Sequence, residues 1–255
     1  MRRTIVNLLA FSLLATLAAT GPAYAAACKG PLTGRTVTLR PSIGAFGSVQ
    51  AGAPLPMLRP GEYALTLDDG PSPISTQKLL DILDRACVRA TFMEVGNNAR
   101  QHPELSRAVL AHGQGLGSHS MDHKPFSSQS DAAWQADMLD GAEAVEQAGW
   151  GRSRGTTWRF FRMPGGAGVP LVAPAAWRAF ANSHHLVLAG YDFSGDDWKN
   201  GPPADSLKIM LSRLKDRGVI LVHEGQPNTL LFLPMLLDEL QRRGAKIVAL
   251  RLAQS

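Results

Sequence analysis

The strongest constraint on this chain is a hydrophobic pattern that keeps switching period. From residue 63 onward, short β-like runs alternate with amphipathic helical runs. Residues 63–67, 90–95, 115–118, 158–162, 186–191, 219–222 and 246–250 read as strands. Residues 75–85, 103–111, 131–148, 173–183, 204–217 and 230–243 read as the helices between them. Asp131 is placed as an N-cap, and Gly218 and Gly244 as the stops of the last two helices. Alternation of this kind demands parallel strands joined by crossover helices. The expected fold is therefore α/β, a single-domain (β/α) barrel, distorted or incomplete.

The amino terminus reads differently. Met1-Arg2-Arg3 is basic, residues 5–19 are mostly apolar and uncharged, and Ala23-Tyr24-Ala25 offers a small-residue cleavage site. That is the layout of a secretory signal peptide cut after Ala25. The apolar run is shorter than the roughly 20 residues that span a bilayer. The predicted organisation is a signal peptide at 1–25, an N-terminal extension or lead-in at 26–60, and one domain at 61–255. The product is expected to be secreted or periplasmic, with no membrane attachment after cleavage.

Composition narrows the partners. The formal net charge is +5 with 18% charged residues, too small a surplus to indicate nucleic acid. The sequence holds two cysteines and no CxxC, which excludes a cysteine zinc ribbon. Cys28 and Cys87 either pair in an oxidising compartment, or Cys87 is a buried apolar residue and Cys28 a free thiol.

The unusual polar residues gather at the ends of predicted strands. Asp68 and Asp69 follow the first, His119 and His123 the third, and Arg162 ends the fourth. Asp192, Asp196 and Asp197 follow the fifth, and His223 and Glu224 the sixth. In a parallel barrel these carboxyl ends share one face, where active sites are built. Two histidines at i and i+4 on a helical turn face one way and can hold one cation. Asp68-Asp69-Gly70-Pro71 favours a turn, but a turn does not explain two adjacent acids. Two histidines and a carboxylate leave an open position for water, as catalytic zinc sites require.

Thr66-Leu67-Asp68-Asp69-Gly70-Pro71, His119-Ser120-x-x-His123, Arg162-x-Pro164-x-Gly166, Asp197-Trp198 and Leu221-x-His223 occur in this order. Together they resemble the five motifs of the NodB-type polysaccharide deacetylases, carbohydrate esterase family 4. The resemblance covers roughly residues 60–252 and implies a distorted (β/α) barrel. It implies that Asp69, His119 and His123 hold one divalent metal, zinc first, with cobalt, nickel or manganese tolerated. It makes Asp68 the general base and His223 the general acid. Arg162 is implied to pair with Asp68, and Asp197 to orient His223. A backbone N–H near Gly165 is implied to hold the oxyanion, and Trp198 and Leu221 to shape the acetyl pocket.

Three positions depart from the family pattern. Leu67 replaces a Phe, Glu224 follows the acid histidine where Asp is common, and Gly165 stands where an aromatic residue is usual. The last change removes a wall of the sugar groove unless another loop supplies it. His102, His112, His184 and His185 match no motif and are read as structural or surface residues. Asp192 and Asp196 are read as loop acids, and Glu224 is left without a role.

The activity implied is metal-dependent removal of N-acetyl groups from a GlcNAc-containing polysaccharide, peptidoglycan or chitin-like. Its partner is then a polysaccharide or oligosaccharide, with a monomer as the default state. An O-acetyl esterase acting on xylan or another glycan uses the same machinery. An inactive carbohydrate-binding barrel is the reading from another class, and the complete polar set opposes it.

Overall fold

In the computed structural model of the chain the described residues are 28–165, 171–199 and 201–254. The expected signal peptide at 1–25 and the motif residue Gly166 lie outside them. No helix among the described residues is long and apolar enough to cross a membrane.

The central strand is β3 (Glu62–Asp68), buried along its whole length. It pairs in parallel with β4 (Thr91–Glu94) on one edge and with β9 (Gly218–His223) on the other. From β4 the sheet runs through β5 (Gly115–Ser118), β6 (Arg159–Phe161) and β7 (Leu186–Ala189). On the far side β9 carries β8 (Phe193–Ser194). No ladder joins β7 to β8 among the described residues, so hydrogen bonds do not close the barrel. The alternation read from sequence is thus a parallel, incomplete (β/α) barrel.

The segment 28–60 is part of the sheet. β1 (Thr33–Leu39) pairs with β10 (Lys246–Leu252), which pairs with the start of β3. β2 (Ala45–Phe46) pairs with β7 at the open seam. A single distorted turn, α1 (Ser48–Ala51), follows. The disulfide Cys28–Cys87, with Cα atoms 5.4 Å apart, ties the extension to the residues after α2 (Thr76–Arg85).

Parallel strands covered on both faces conceal their period of two in sequence. In β3, Tyr63, Leu65 and Leu67 pack outward among Leu79, Leu83, Leu233 and Leu236 of α2 and α8 (Pro227–Arg242). Ala64 points inward with Met93, Phe160, Val187, Val219 and Val248. The inward rows continue upward as Ala64-Thr66-Asp68, Phe160-Arg162 and Val219-Leu221-His223. Each row is apolar at the base and polar at the carboxyl end, so the sheet itself delivers these polar groups to one rim.

The remaining helices are α3 (Gly96–Gln101), α4 (Pro103–Ala111), α5 (Asp131–Trp150), α6 (Ala175–Ser183) and α7 (Pro203–Arg213). Two expectations are corrected. Ser130, not Asp131, caps α5, its hydroxyl accepting from the Ala133 N–H. Helix α7 ends at Arg213, with Leu214 extended, so Gly218 does not stop it. Gly218 opens β9 instead, where a Cβ would meet the Phe193 ring at 2.5 Å.

Candidate active site

The rim begins where β3 ends. Asp68 is 3% exposed, and its Oδ1 accepts from Arg162 Nη1 at 2.7 Å. Arg162 is fully buried. Its remaining N–H groups donate to Thr66 Oγ1 and to the Ala189 and Gly190 carbonyls, at 2.7 to 2.9 Å. A buried guanidinium needs this many acceptors, because an unpaired charge away from water costs several kcal/mol. Asp69 takes a left-handed conformation, φ 76°, which turns its carboxylate from the strand direction toward the loop after β5.

That loop carries the histidines. The expected helical turn is not what joins them: residues 119–123 are irregular, with Ser120 and His123 at positive φ. The correction has a physical cause. The His119 N–H donates to the Glu94 carbonyl, extending the β4 ladder. The Met121 and Asp122 N–H groups donate to Asp137 of α5 instead of to a helix of their own.

The loop still brings the rings together, with centroids 4.9 Å apart. His119 Nδ1 lies 2.9 Å from the Arg162 carbonyl. A carbonyl only accepts, so Nδ1 carries the proton and Nε2 presents its lone pair. His123 Nε2 lies 3.1 Å and His119 Nε2 3.5 Å from Asp69 Oδ1. One ligand atom from each of the three residues lies within 4.8 Å of the others. Among the described residues no donor meets buried Asp69 Oδ1 in hydrogen-bond geometry. An orphaned carboxylate oxygen facing two imidazole nitrogens is a donor set that fits a divalent cation.

At His119 and Asp69 the electrostatics agree with that fit, whereas the Asp69 carboxylate raises the His123 imidazole above its ordinary value. Burial holds His119 below the ordinary histidine range, against the pull of the Asp68 and Asp69 carboxylates. Burial raises the Asp69 carboxyl, but the close approach of the His123 imidazole and the charges of His119 and His223 outweigh it, leaving it at about 2. Both directions favour the metal-ligating forms, a neutral imidazole and an ionised carboxylate.

His223 ends β9 in register with Asp68 on β3. Its Nδ1 lies 2.9 Å from Asp197 Oδ1, so Nδ1–H donates and Nε2 is left for the site. Asp197, 1% exposed, also accepts from the His223 N–H and the Thr229 hydroxyl through Oδ2. Burial lowers the His223 pKa, but the Asp197 bond and the charges of Asp197, Asp68 and Asp69 raise it further, to a net increase.

Asp68, Asp69, His119, His123, Gly165, Trp198, Leu221 and His223 line one cavity of about 600 Å³. Leu221 is buried and Trp198 is half exposed. Among the described residues nothing lies within 4 Å of where a Cβ would sit on Gly165. Val49, Gln50, Tyr191 and Arg213 also line the cavity and were not anticipated. Tyr191 ends a predicted strand on the right rim, a usable signal. Val49 and Gln50 belong to the extension and carried none.

The residues left aside have structural partners. Asp192 accepts from Ser48 and from the Val219 N–H, and Asp196 pairs with Arg213 and Lys199. His112 meets Asp84 at 2.6 Å. Glu224 is buried, accepts from the Thr76 hydroxyl, and is pushed by burial to about 8.

The chain matches the family model described as Polysaccharide deacetylase over residues 58–181. It is 30% identical over 188 residues to the peptidoglycan-N-acetylglucosamine deacetylase of Bacillus cereus, covering 72% of this chain and 84% of that one. It is 29% identical over 199 residues to a chitooligosaccharide deacetylase of Bradyrhizobium, covering 72% and 86%. A family 4 carbohydrate esterase from Streptomyces lividans, solved with acetate, superposes with a TM-score of 0.62 at 30% identity, covering 74% of this chain and 91% of that one. With these matches and the geometry of the rim, the chain belongs to the polysaccharide deacetylase family.

Proposed function

We propose that this protein is a metal-dependent hydrolase that removes N-acetyl groups from a GlcNAc-containing polysaccharide, peptidoglycan or chitin-like. The observation that carries the reading is the orphaned Asp69 Oδ1 facing the Nε2 atoms of His119 and His123, beside Asp68 and His223. Asp69, His119 and His123 would hold the ion. Zinc suits two imidazoles and a carboxylate, and cobalt, nickel or manganese are also accommodated. A divalent ion there supplies Lewis acidity, polarising a carbonyl and acidifying a water.

The protein's own groups divide the remaining work. Asp68 takes the proton of the attacking water, its Oδ1 fixed by Arg162 and its Oδ2 3.6 Å from His119 Nε2. Attack on the N-acetyl carbon gives a tetrahedral oxyanion, which the Gly165 N–H stabilises. His223, charged by Asp197, gives its Nε2 proton to the leaving amine as the C–N bond breaks. Leu221 and Trp198 bound the methyl end of the cavity. Secretion through a signal peptide at 1–25 fits the Cys28–Cys87 bond, because disulfides persist in oxidising compartments.

Acetate release decides the reading. The purified protein should release acetate from N-acetylglucosamine oligomers or peptidoglycan, lose that activity to a chelator, and regain it with zinc. Cleavage of acetylated xylan alone would replace it with the O-acetyl esterase. Release of no acetate from any acetylated glycan after metal loading would leave a binding barrel.

A further inference from the structure

Gln50 sits in the N-terminal extension, upstream of the stretch that matches the family model. It is a poor residue for its position on local grounds. Its backbone is at φ 74°, ψ −42°, the strained γ-turn region that side chains other than glycine avoid. The residue is only 4% exposed, with its polar amide buried inside the fold. Strain and a buried amide persist only where the surroundings over-determine them.

The surroundings are the two arms of the loop after β6. On the first arm, Gln50 Nε2 donates to the Met163 carbonyl at 2.8 Å, and the Met163 N–H donates to Gln50 Oε1 at 3.3 Å. This reciprocal pair copies one step of a β ladder with a side chain. On the second arm, the Gln50 N–H donates to the Leu171 carbonyl at 2.5 Å, and the Ala173 N–H donates to the Gln50 carbonyl at 2.7 Å. The position of Gln50 is set by the seam. Val49 and Tyr191 exchange backbone bonds of 2.8 and 3.3 Å, and the Gly190 N–H donates to the Phe46 carbonyl. The extension thus fills the gap between β7 and β8 and arrives at the cavity with Gln50.

We infer that Gln50 is a positioning residue for the oxyanion donor: its side-chain amide clamps Met163 and thereby aims the Gly165 N–H two residues on. The inference rests on the assignment of Gly165 under Proposed function. It goes beyond it by making the extension a working part of the site. Gly165 has no side chain to anchor it and, among the described residues, no neighbour at its Cβ position, so what holds Met163 bears directly on the loop's aim. An oxyanion donor must be in place before charge develops, and a misplacement of about 1 Å costs on the order of 10²-fold in rate.

The test is Gln50→Gly, which keeps both backbone bonds to Leu171 and Ala173, relieves the positive φ, and removes only the clamp. The expected result is kcat on N-acetylglucosamine oligomers lowered about 10- to 100-fold, with KM changed less than about twofold. Bound metal should stay stoichiometric and Tm should not fall. Hydrogen exchange of the peptide carrying residues 163–165 should quicken. Gln50→Glu, which keeps the acceptor for the Met163 N–H but faces the Met163 carbonyl with a second acceptor, should lower kcat likewise. Wild-type kcat in Gln50→Gly overturns the inference, and so does unchanged exchange at 163–165. A fall in metal content and Tm together with a rise in KM assigns Gln50 a structural role instead and also overturns it. If the wild-type protein releases no acetate, the functional reading fails while the exchange measurement still decides the clamp.

Discussion

Arg162 and Asp68 meet at 2.7 Å with 0% and 4% of their side chains exposed, a salt bridge at the top of the barrel interior. Both groups are almost wholly removed from bulk solvent. Removing the guanidinium strands the carboxylate, and leaving a buried charge uncompensated costs about 3–5 kcal/mol. Arg162→Lys keeps a charge but cannot reach Asp68, Thr66, Ala189 and Gly190 together, because an ammonium lacks the planar fork. Arg162→Lys is therefore expected to lower Tm by several degrees and to abolish most acetate release, read by calorimetry and by acetate assay.

Asp68→Asn separates the two roles of that pair. The amide oxygen still accepts from Arg162, so the fold should be retained, while the proposed base for the attacking water is lost. The expected loss in kcat/KM is about 10²- to 10⁴-fold, with metal content unchanged by elemental analysis. His119→Ala should do the reverse at the first step, losing the stoichiometric ion itself.

Much of this rim was legible because the functional residues are chemically unlike the strands they end. Asp68, Asp69, Arg162 and His223 each interrupt an apolar run, and strand ends in a parallel barrel share one face. The acceptors that hold Arg162 left no mark, since the carbonyls of Ala189 and Gly190 belong to any residue type. The path joining His119 to His123 was misread because a spacing of four also fits an irregular loop anchored by Asp137, whose bond to Met121 spans sixteen positions, too far for local pattern to reveal. β2 and β8 have two residues each, too few for a period. Gln50 is invisible in sequence because its value lies in a tertiary contact with Met163.

The His223–Asp197 pair predicts a pH signature. With His223 as the proposed acid, activity is expected to fall as pH rises through its pKa. Burial depresses that pKa and the Asp197 hydrogen bond, with neighbouring charges, raises it above the ordinary value. Asp197→Asn removes the largest raising contribution. The alkaline limb of kcat against pH should then move to lower pH, along with a fall in maximal rate. An alkaline limb that stays in place would assign the leaving-group proton to another residue.

The disulfide offers a prediction independent of the chemistry. Cys28 and Cys87 are 59 positions apart, and closing a loop of that length restricts the unfolded chain by about 4 kcal/mol. The Cys28→Ser/Cys87→Ser variant should melt well below the wild type. Reductant should lower the wild-type Tm toward that value and leave the variant unmoved. Equal melting temperatures would mean the extension is held by β1 and β2 alone.

Glu94 and Glu224 lie beneath the rim, both buried, with Glu94 Oε1 and Glu224 Oε1 unpartnered. Burial is the main cause that lifts each from the ordinary 4.5 to about 8, and for Glu94 the Glu224 charge adds to it. The sign of the stability effect follows. Between pH 4.5 and 8 the folded chain holds a proton that the unfolded chain has released, so stability is fully present at the acid end and declines as pH rises. One such proton is worth about 1.4 kcal/mol per pH unit, or roughly 3–5 °C of Tm per unit for a chain of this size. Glu94→Gln keeps an acceptor for the Ser106 hydroxyl, which now bonds Glu94 Oε2 at 2.6 Å, and cannot ionise. Its Tm should decline less steeply than the wild type's from pH 5 to 8, with the gap between the two widening as pH rises. Parallel Tm curves would show that Glu94 is already ionised in the folded protein and is stabilised by a group other than Ser106.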